Sequence, residues 1–139
     1  MRGKAELKFI GTVEKACEEE AEVRIFPEFC RGLKEIEGFS HLILLYWMHM
    51  RDNAKERNVL QVFPRGSLGK VKVGVFACRS PSRPNPIGLC VVKLLKVENC
   101  TLTVEGLDAY EGSPIIDIKP YIQRRDSVPK TYAPEWISR

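Results

Sequence analysis

The chain lacks most of the patterns that define common site types. It has two histidines, and none of its five cysteines forms a Cys-x-x-Cys pair, which argues against a zinc site or a thioredoxin-type redox site. It contains no Gly-x-Gly-x-x-Gly motif, so a Rossmann cofactor loop is not expected. The longest uninterrupted apolar run covers residues 42–48, far short of the ~20 residues that cross a bilayer.

These absences bound the class of protein. A length of 139 residues suits one domain with a modest core, and 44% apolar and 29% charged residues are typical of a soluble globule. The first residues lack the apolar stretch of a signal peptide. We therefore predict a cytoplasmic protein with no membrane partner and no metal. In that compartment we expect all the cysteines to be free thiols: Cys17, Cys30, Cys78, Cys90 and Cys100.

Positive charge is concentrated in two parts of the chain. Residues 51–83 carry eight basic and two acidic side chains, and residues 119–139 carry five and two, whereas the rest of the chain is net negative. Clustered lysine and arginine favour binding to a phosphate backbone, because each contact releases counterions. A solvated basic face explains the charge equally well.

Short strand-like segments dominate the chain. They are rich in Val, Ile, Leu and Phe and are bounded by turn residues, and they cover residues 6–13, 21–25, 59–63, 71–76, 87–97, 101–107 and 115–121. Residues 40–50 fit a buried strand or a core helix, and Gly38 and the internal aromatics favour the strand. Seven or eight short strands predict a mainly β fold, a single closed or partly closed barrel. Short helices are expected in parts of 27–36 and 51–57.

We place the barrel domain at residues 1–127 and an irregular tail at 128–139. The tail has two prolines and no clear period. Its aromatics, Tyr132 and Trp136, would be unusual in a free tail, so we expect them to dock on the domain or on a partner chain.

The segment from Gly74 to Leu89 does not look like scaffold. Prolines at 81, 84 and 86 stiffen it, and the polar side chains of Arg79, Arg83 and Asn85 lie among them. A stiff loop loses little entropy when a ligand docks. A rigid connection between strands is the alternative, but it would not need two arginines and an asparagine.

A second such segment runs from Gly106 to Tyr121. Asp108 and Glu111 lie on a predicted turn, where carboxylates can face a cation or a ribose hydroxyl. Asp117 and Lys119 are two apart on a predicted strand, so both side chains point to the same side. A carboxylate in an apolar strand needs a partner, and Lys119 or an arginine of the proline-rich loop could supply it.

Both segments, together with Phe39-Ser40-His41-Leu42 and the opening residues 9–13, closely resemble the signature of the TsaA-like (YaeB-like, VirR-like) family. The resemblance spans residues 7–121. It implies a non-Rossmann β-barrel that works as a homodimer with S-adenosylmethionine near the subunit interface. It further implies methylation of N6 of threonylcarbamoyladenosine 37 in tRNA, the reaction of the TrmO-type members.

Carried over by position, the resemblance implies a set of cofactor contacts, which are His49, Met50, Arg79, Leu89, Asp108, Ala109, Tyr110 and Glu111. His49 and His41 could instead be core histidines whose ring nitrogens are hydrogen-bonded within the protein and bind no ligand. From the loop and the charge clusters we expect RNA contacts at Arg83, Asn85, Arg124 and Arg125.

Methylation of a carbamoylated adenine requires loss of the N6 proton. Asp117 could act as the base or orient the substrate, and Lys119 could stabilise negative charge on the carbamoyl oxygen. Asp117 could equally be structural.

One departure from the family bears on function. Its members carry a longer loop with a Pro-Arg-Gln-Pro run before the Phe39 motif, where this chain has only residues 14–21. Cofactor binding is therefore better supported than the tRNA substrate. The alternatives are a non-catalytic S-adenosylmethionine- or RNA-binding barrel, or a methyltransferase with a different acceptor.

Overall fold

The computed structural model describes residues 2–17, 19–64 and 71–137. Within them the strands are β1 (Gly11–Ala16), β2 (Ala21–Ile25), β3 (His41–Trp47), β4 (Gln61–Val62), β5 (Val73–Gly74), β6 (Ile87–Glu98), β7 (Thr101–Glu105) and β8 (Pro114–Pro120). The α-helices are α1 (Ala54–Arg57) and α2 (Gln123–Asp126). Four 3-10 helices cover Pro27–Leu33, Ile36–Gly38, His49–Arg51 and Val75–Ala77. The chain divides into two compact units, residues 1–47 with 88–121 and residues 48–87 with 122–139.

The first unit is an antiparallel barrel. Six strands follow the order β1-β2-β7-β6-β3-β8, and β8 pairs with β1 to close it. The alternation that indicated strands also defines the interior, because every second residue of β2, β3 and β7 is buried. The fully buried side chains include Val13, Val23, Leu42, Leu44, Leu102, Val104 and Ile115. Each buried side chain of this size stabilises the fold by about 1.5–3 kcal/mol. The predicted barrel is confirmed.

A register shift in β8 explains how a strand with two charged residues fits this barrel. Ile118 lies opposite Leu44 and Ile115 lies opposite Tyr46, so one extra residue separates the two isoleucines. The intervening Asp117 pairs with Leu45 instead. The shift keeps both isoleucines beside core-facing residues of β3 and leaves Asp117 partly exposed.

The cysteine prediction was wrong for two residues, because Cys30 and Cys100 form a disulfide with Cα atoms 5.5 Å apart. The pairing of β2 with β7 brings these parts of the chain together, and Ile25 N donates to Cys100 O at 2.8 Å. The 3-10 helix that holds Cys30 begins two residues after β2 ends. Cys17, Cys78 and Cys90 are not in a disulfide, as expected.

The second unit contains the two-stranded sheet of β4 and β5, both helices, and the proline-rich segment up to Ile87. Asn53 is the N-cap residue of α1, and its side chain accepts a hydrogen bond from Glu56 N at 2.9 Å. Residues 128–137 contain no helix or strand.

Most predicted strands are present, with altered ends. Residues 21–25 match β2, and residues 40–50 contain β3, so the strand interpretation of that segment was right. The first strand was placed too early, since it starts at Gly11 and not at Glu6. The predicted strand at 71–76 is reduced to two residues followed by a 3-10 helix. Helix α2 was not predicted.

Candidate functional site

The turn after β7, residues 106–113, has a backbone held at both ends. Gly106 and Gly112 have φ angles of 91° and 88°, which few other residues adopt without strain. Cys90 Sγ donates to Gly106 O at 3.0 Å. At the far end Gly112 N donates to Val13 O at 2.8 Å, and Ser113 N donates to Tyr110 O at 3.0 Å. The turn is therefore fixed to β1 and β6.

The side chains of this turn project outward. Asp108 and Glu111 are exposed, Ala109 is half-buried, and the Tyr110 residue is 73% exposed. Leu89 on β6, in the same unit, is 49% exposed although it is a large apolar residue. A rigid backbone that presents carboxylates and apolar side chains to solvent can receive a ligand with little loss of conformational entropy.

Tyr46 connects the turn to β3. Its hydroxyl donates a short hydrogen bond to the carbonyl oxygen of Asp108. Burial, followed by the nearby Asp108 carboxylate and Cys90 thiol, raises the pKa of Tyr46 from 10.0 to about 12. The phenol is therefore a neutral donor across the ordinary pH range.

The proline-rich loop of the second unit is fastened by arginines. Arg57 Nε donates to Pro84 O at 2.8 Å, and its Nη2 donates to Asn85 Oδ1 at 3.4 Å. Arg83 Nη1 donates to the carbonyl oxygens of Cys78 and Ser80, both at 3.1 Å. These bonds, together with three prolines, make the loop rigid from residue 78 to residue 86.

Ser82 is the one buried polar residue of this loop among the residues that the structure describes, and it also fastens the loop. Ser82 is 5% exposed. Its hydroxyl donates to Glu56 Oε2 and accepts from Arg51 Nη1 at 2.5 Å. Arg51 and Glu56 also lie 3.5 Å apart as an ion pair, so the loop is attached to α1 and to the 3-10 helix before it.

The predicted cofactor residues of this unit are exposed. His49 and Met50 begin the 3-10 helix after β3, and Met50 is 64% exposed. Arg79 is exposed and makes no hydrogen bond or ion pair with any residue in the described ranges. A free guanidinium on a rigid loop is well suited to bind a carboxylate or phosphate.

Asp117 and Lys119 form an ion pair, with Nζ 3.0 Å from Oδ2. The same carboxylate accepts a bond from Ile118 N at 2.9 Å through Oδ1. The predicted same-side placement is confirmed, and Lys119 is the partner.

Asp117 also lines a cavity of about 410 Å³ beside the 3-10 helices that follow β2. None of the eight expected cofactor residues lines that cavity. The cavity wall is mainly apolar, and its charged lining residues are Lys34, Glu35 and Asp117.

The expected site residues divide between the two units. Leu89 and residues 108–111 belong to the first unit, and His49, Met50 and Arg79 belong to the second. Of the expected RNA contacts, Arg83 and Asn85 take part in bonds within the loop, and Arg124 and Arg125 are exposed on α2. Arg65 and Lys70 of the basic cluster lie outside the described residues.

Sequence reasoning missed the residues that support the site, chiefly Tyr46, Cys90 and the Arg51–Ser82–Glu56 network. One signal was available, because Gly88 lies inside a strand pattern and such a glycine often marks a close approach of another group. For the others, the partner comes from a distant part of the sequence.

Two further properties concern only the residues that the structure describes. No helix among them is both long and apolar enough to cross a membrane. No cluster of three or more His, Cys, Asp or Glu side chains suited to a metal ion occurs among them.

The first unit is thus a small antiparallel barrel that presents an exposed turn, and the chain has no Rossmann cofactor loop. The family profile described as the tRNA-methyltransferase O N-terminal domain matches residues 12–127. The chain belongs to this family.

Relatives and solved structures agree with this assignment. A protein of Methanothermobacter thermautotrophicus named probable S-adenosyl-L-methionine-binding protein is 52% identical over 110 residues, which cover 79% of this chain and 75% of that protein. The Homo sapiens tRNA (adenine(37)-N6)-methyltransferase is 42% identical over 104 residues, 75% of this chain and 23% of that protein. A crystal structure of TrmO from Pseudomonas aeruginosa superposes with a TM-score of 0.75 at 26% identity, covering 97% of this chain and 62% of that one. This chain thus spans less than two thirds of the latter two proteins.

Proposed function

We propose that this chain binds S-adenosylmethionine and uses it to methylate tRNA, with N6 of threonylcarbamoyladenosine 37 as the acceptor. The observation that carries the proposal is the family match over residues 12–127. The human relative is named a methyltransferase of adenine 37, and the archaeal relatives are named S-adenosylmethionine-binding proteins.

The residues present fit this cofactor chemically. S-adenosylmethionine carries a sulfonium and an ammonium group, a carboxylate, two ribose hydroxyls and an adenine. Asp108 and Glu111 offer exposed carboxylates on a fixed turn, suited to the cations or the hydroxyls. Arg79 offers a guanidinium that bonds to no other residue in the described parts of the chain, suited to the carboxylate. Leu89, Met50 and Tyr110 offer apolar surface for the adenine.

We therefore propose the same cofactor contacts that the resemblance implies, with backbone groups of Ala109 and the side chain of His49 completing the set. When bound, the cofactor supplies an electrophilic methyl group. The protein must align this group with the N6 nitrogen and exclude water. Asp117 would accept the N6 proton or orient the base, and Lys119 would stabilise negative charge on the carbamoyl oxygen. RNA contacts are proposed at Arg83, Asn85, Arg124 and Arg125.

We also propose that the protein acts as a homodimer in the cytoplasm. Leu89, Val91 and Leu95 form a largely apolar stripe on the outer side of β6, each at least 40% exposed, with Lys93 between the last two. A second copy would cover this stripe and shield the proposed cofactor contact at Leu89 from water. The division into a barrel domain at 1–127 and an irregular tail at 128–139 stays a prediction.

The test of the proposed function is transfer of a labelled methyl group. The protein is incubated with labelled S-adenosylmethionine and with tRNA that carries or lacks the threonylcarbamoyl group. We expect label only in the modified tRNA. Cofactor binding without transfer to either tRNA would favour a non-catalytic binding protein. In the same assay, full turnover of Asp117→Asn with unchanged pH dependence would exclude Asp117 as the base.

A further inference from the structure

Tyr46 is a buried residue of β3 that no part of the proposed chemistry uses. It is 7% exposed, and its hydroxyl reaches the backbone of Asp108, 62 positions away in the sequence. A hydrogen bond from a buried hydroxyl to a turn carbonyl holds that carbonyl in one place. Asp108 is the first residue of the turn whose side chains we propose as cofactor contacts.

The backbone of Gly88 lies directly against the Tyr46 ring. A Cβ atom at this position would overlap the ring and lie 2.8 Å from the hydroxyl oxygen. Glycine is therefore required for the ring to reach Asp108. The next residue in β6 is Leu89, another proposed cofactor contact, so the phenol lies between two elements of the proposed site.

The turn has other attachments, and they lie on either side of residues 108–111. Cys90 holds Gly106 at the end of β7, and Val13 and Tyr110 bond to residues 112 and 113. The Tyr46 bond supplies the attachment at residue 108, at the start of the four proposed contact residues. Its loss would free residues 108–111, while Gly106 stayed fixed to β6 and Gly112 stayed fixed to β1.

We propose that Tyr46, held in place by Gly88, is a positioning residue that fixes the Asp108–Glu111 turn in the conformation that binds S-adenosylmethionine. This inference rests on the proposed function. The Tyr46 hydroxyl does not contact the cofactor in this account. It acts by lowering the conformational entropy that the turn would lose on binding.

The first test is Tyr46→Phe, which removes only the hydroxyl. We expect S-adenosylmethionine binding, measured by calorimetry, to weaken about three- to tenfold, the effect of one lost buried hydrogen bond. Hydrogen exchange of the amides of residues 109–112 should accelerate, whereas that of β1 and β2 should not change. A purely structural residue would instead change exchange throughout the barrel.

The second variant is Gly88→Ala, which keeps the hydroxyl but displaces the ring. It should reproduce the loss of affinity, and adding Tyr46→Phe to it should weaken binding little further, because both changes break the same bond. Leu102→Val is the matched control. It removes one methylene from the barrel core at a position away from the turn, and it should keep wild-type affinity.

The outcomes separate this inference from the proposed function. Wild-type affinity and wild-type turn exchange in Tyr46→Phe would overturn the positioning role, as would fully additive effects in the double variant. If the wild-type protein does not bind S-adenosylmethionine at all, the proposed function fails and the cofactor role of Tyr46 fails with it. Turn exchange would then still show whether Tyr46 fixes the backbone of residues 108–111.

Discussion

Arg79 and Arg83 lie four residues apart in the proline-rich loop but have different environments. Arg83 donates to two carbonyl oxygens of its own loop and is half-buried. Arg79 is exposed and bonds to no residue within the described parts of the chain. The sequence could not distinguish the two, because the bonds of Arg83 depend on how the prolines fold the loop back on itself.

This difference predicts opposite effects of substitution. Arg79→Ala should leave the free energy of unfolding within about 0.5 kcal/mol of wild type, because an exposed unpaired side chain contributes little. It should weaken S-adenosylmethionine binding by about tenfold or more, the usual effect of losing a charge-assisted bond to a carboxylate. Calorimetric titration measures this loss.

Lys72→Ala is the control for charge, since Lys72 is another exposed cation of the same unit without a bonded partner in the described ranges. Equal affinities of Arg79→Ala and Lys72→Ala would show that Arg79 does not bind the cofactor. Arg83→Ala should instead lower the free energy of unfolding by about 1–3 kcal/mol, because two loop carbonyls lose their donor.

Of two side-chain contacts at the site, one could be predicted from the sequence and the other could not. The spacing of Asp117 and Lys119 on a strand was enough to place them together, and they form the expected ion pair. The contact between Tyr46 and Asp108 could not be predicted, since it depends on the barrel closing around residues far apart in the sequence. The composition of the predicted strand around Tyr46 indicated burial but not a partner.

At the scale of elements, alternation located most strands but not all their ends. Residues 21–25 alternate regularly and form β2 with the predicted bounds. Leu7 and Phe9 suggested an earlier start for β1, yet both are exposed, and the Phe9 ring contacts Trp47 with centroids 6.2 Å apart. An apolar residue that packs outside a strand gives the same signal as one inside it.

The disulfide between Cys30 and Cys100 shows the same limit for cysteine. The odd number of thiols and their wide spacing indicated free cysteines. The pairing register of β2 with β7 instead brings the 3-10 helix after β2 against the two-residue turn between β6 and β7. Asn99 and Cys100 have φ angles of 50° and 64°, as that two-residue hairpin turn requires. The turn therefore fixes the backbone conformation of Cys100, whose side chain forms the disulfide with Cys30.

The disulfide should contribute measurably to stability. Its two cysteines are 70 residues apart. The loss of unfolded-chain entropy on closing such a loop stabilises a protein by about 2–4 kcal/mol. Cys30→Ser should therefore lower the free energy of unfolding by about this amount in denaturant titrations without reductant.

The exposed free thiol Cys17 provides the control, and Cys17→Ser should unfold like the wild type. Reductant should destabilise the wild type but not Cys30→Ser. An equal response of both proteins to reductant would mean that the disulfide does not stabilise the fold.

For the whole molecule, the exposed apolar stripe on β6 is relevant to the proposed dimer. Val91→Arg places a charge in the middle of the stripe and should convert the dimer to a monomer in sedimentation equilibrium. It should also weaken S-adenosylmethionine binding, because Leu89 would lose its cover. Leu60→Arg changes an apolar residue of the second unit that is 61% exposed, and this variant should remain dimeric. A wild-type protein that is monomeric at all concentrations would refute the dimer.

The central claim is that this family member methylates an adenine in tRNA, and the position of the transferred methyl group tests it most directly. Threonylcarbamoylated tRNA is treated with the protein and labelled S-adenosylmethionine and then digested to nucleosides. We expect the label in one nucleoside, the threonylcarbamoyladenosine, on its N6 nitrogen. Label in any other nucleoside, or none in tRNA while the cofactor is bound, would contradict it.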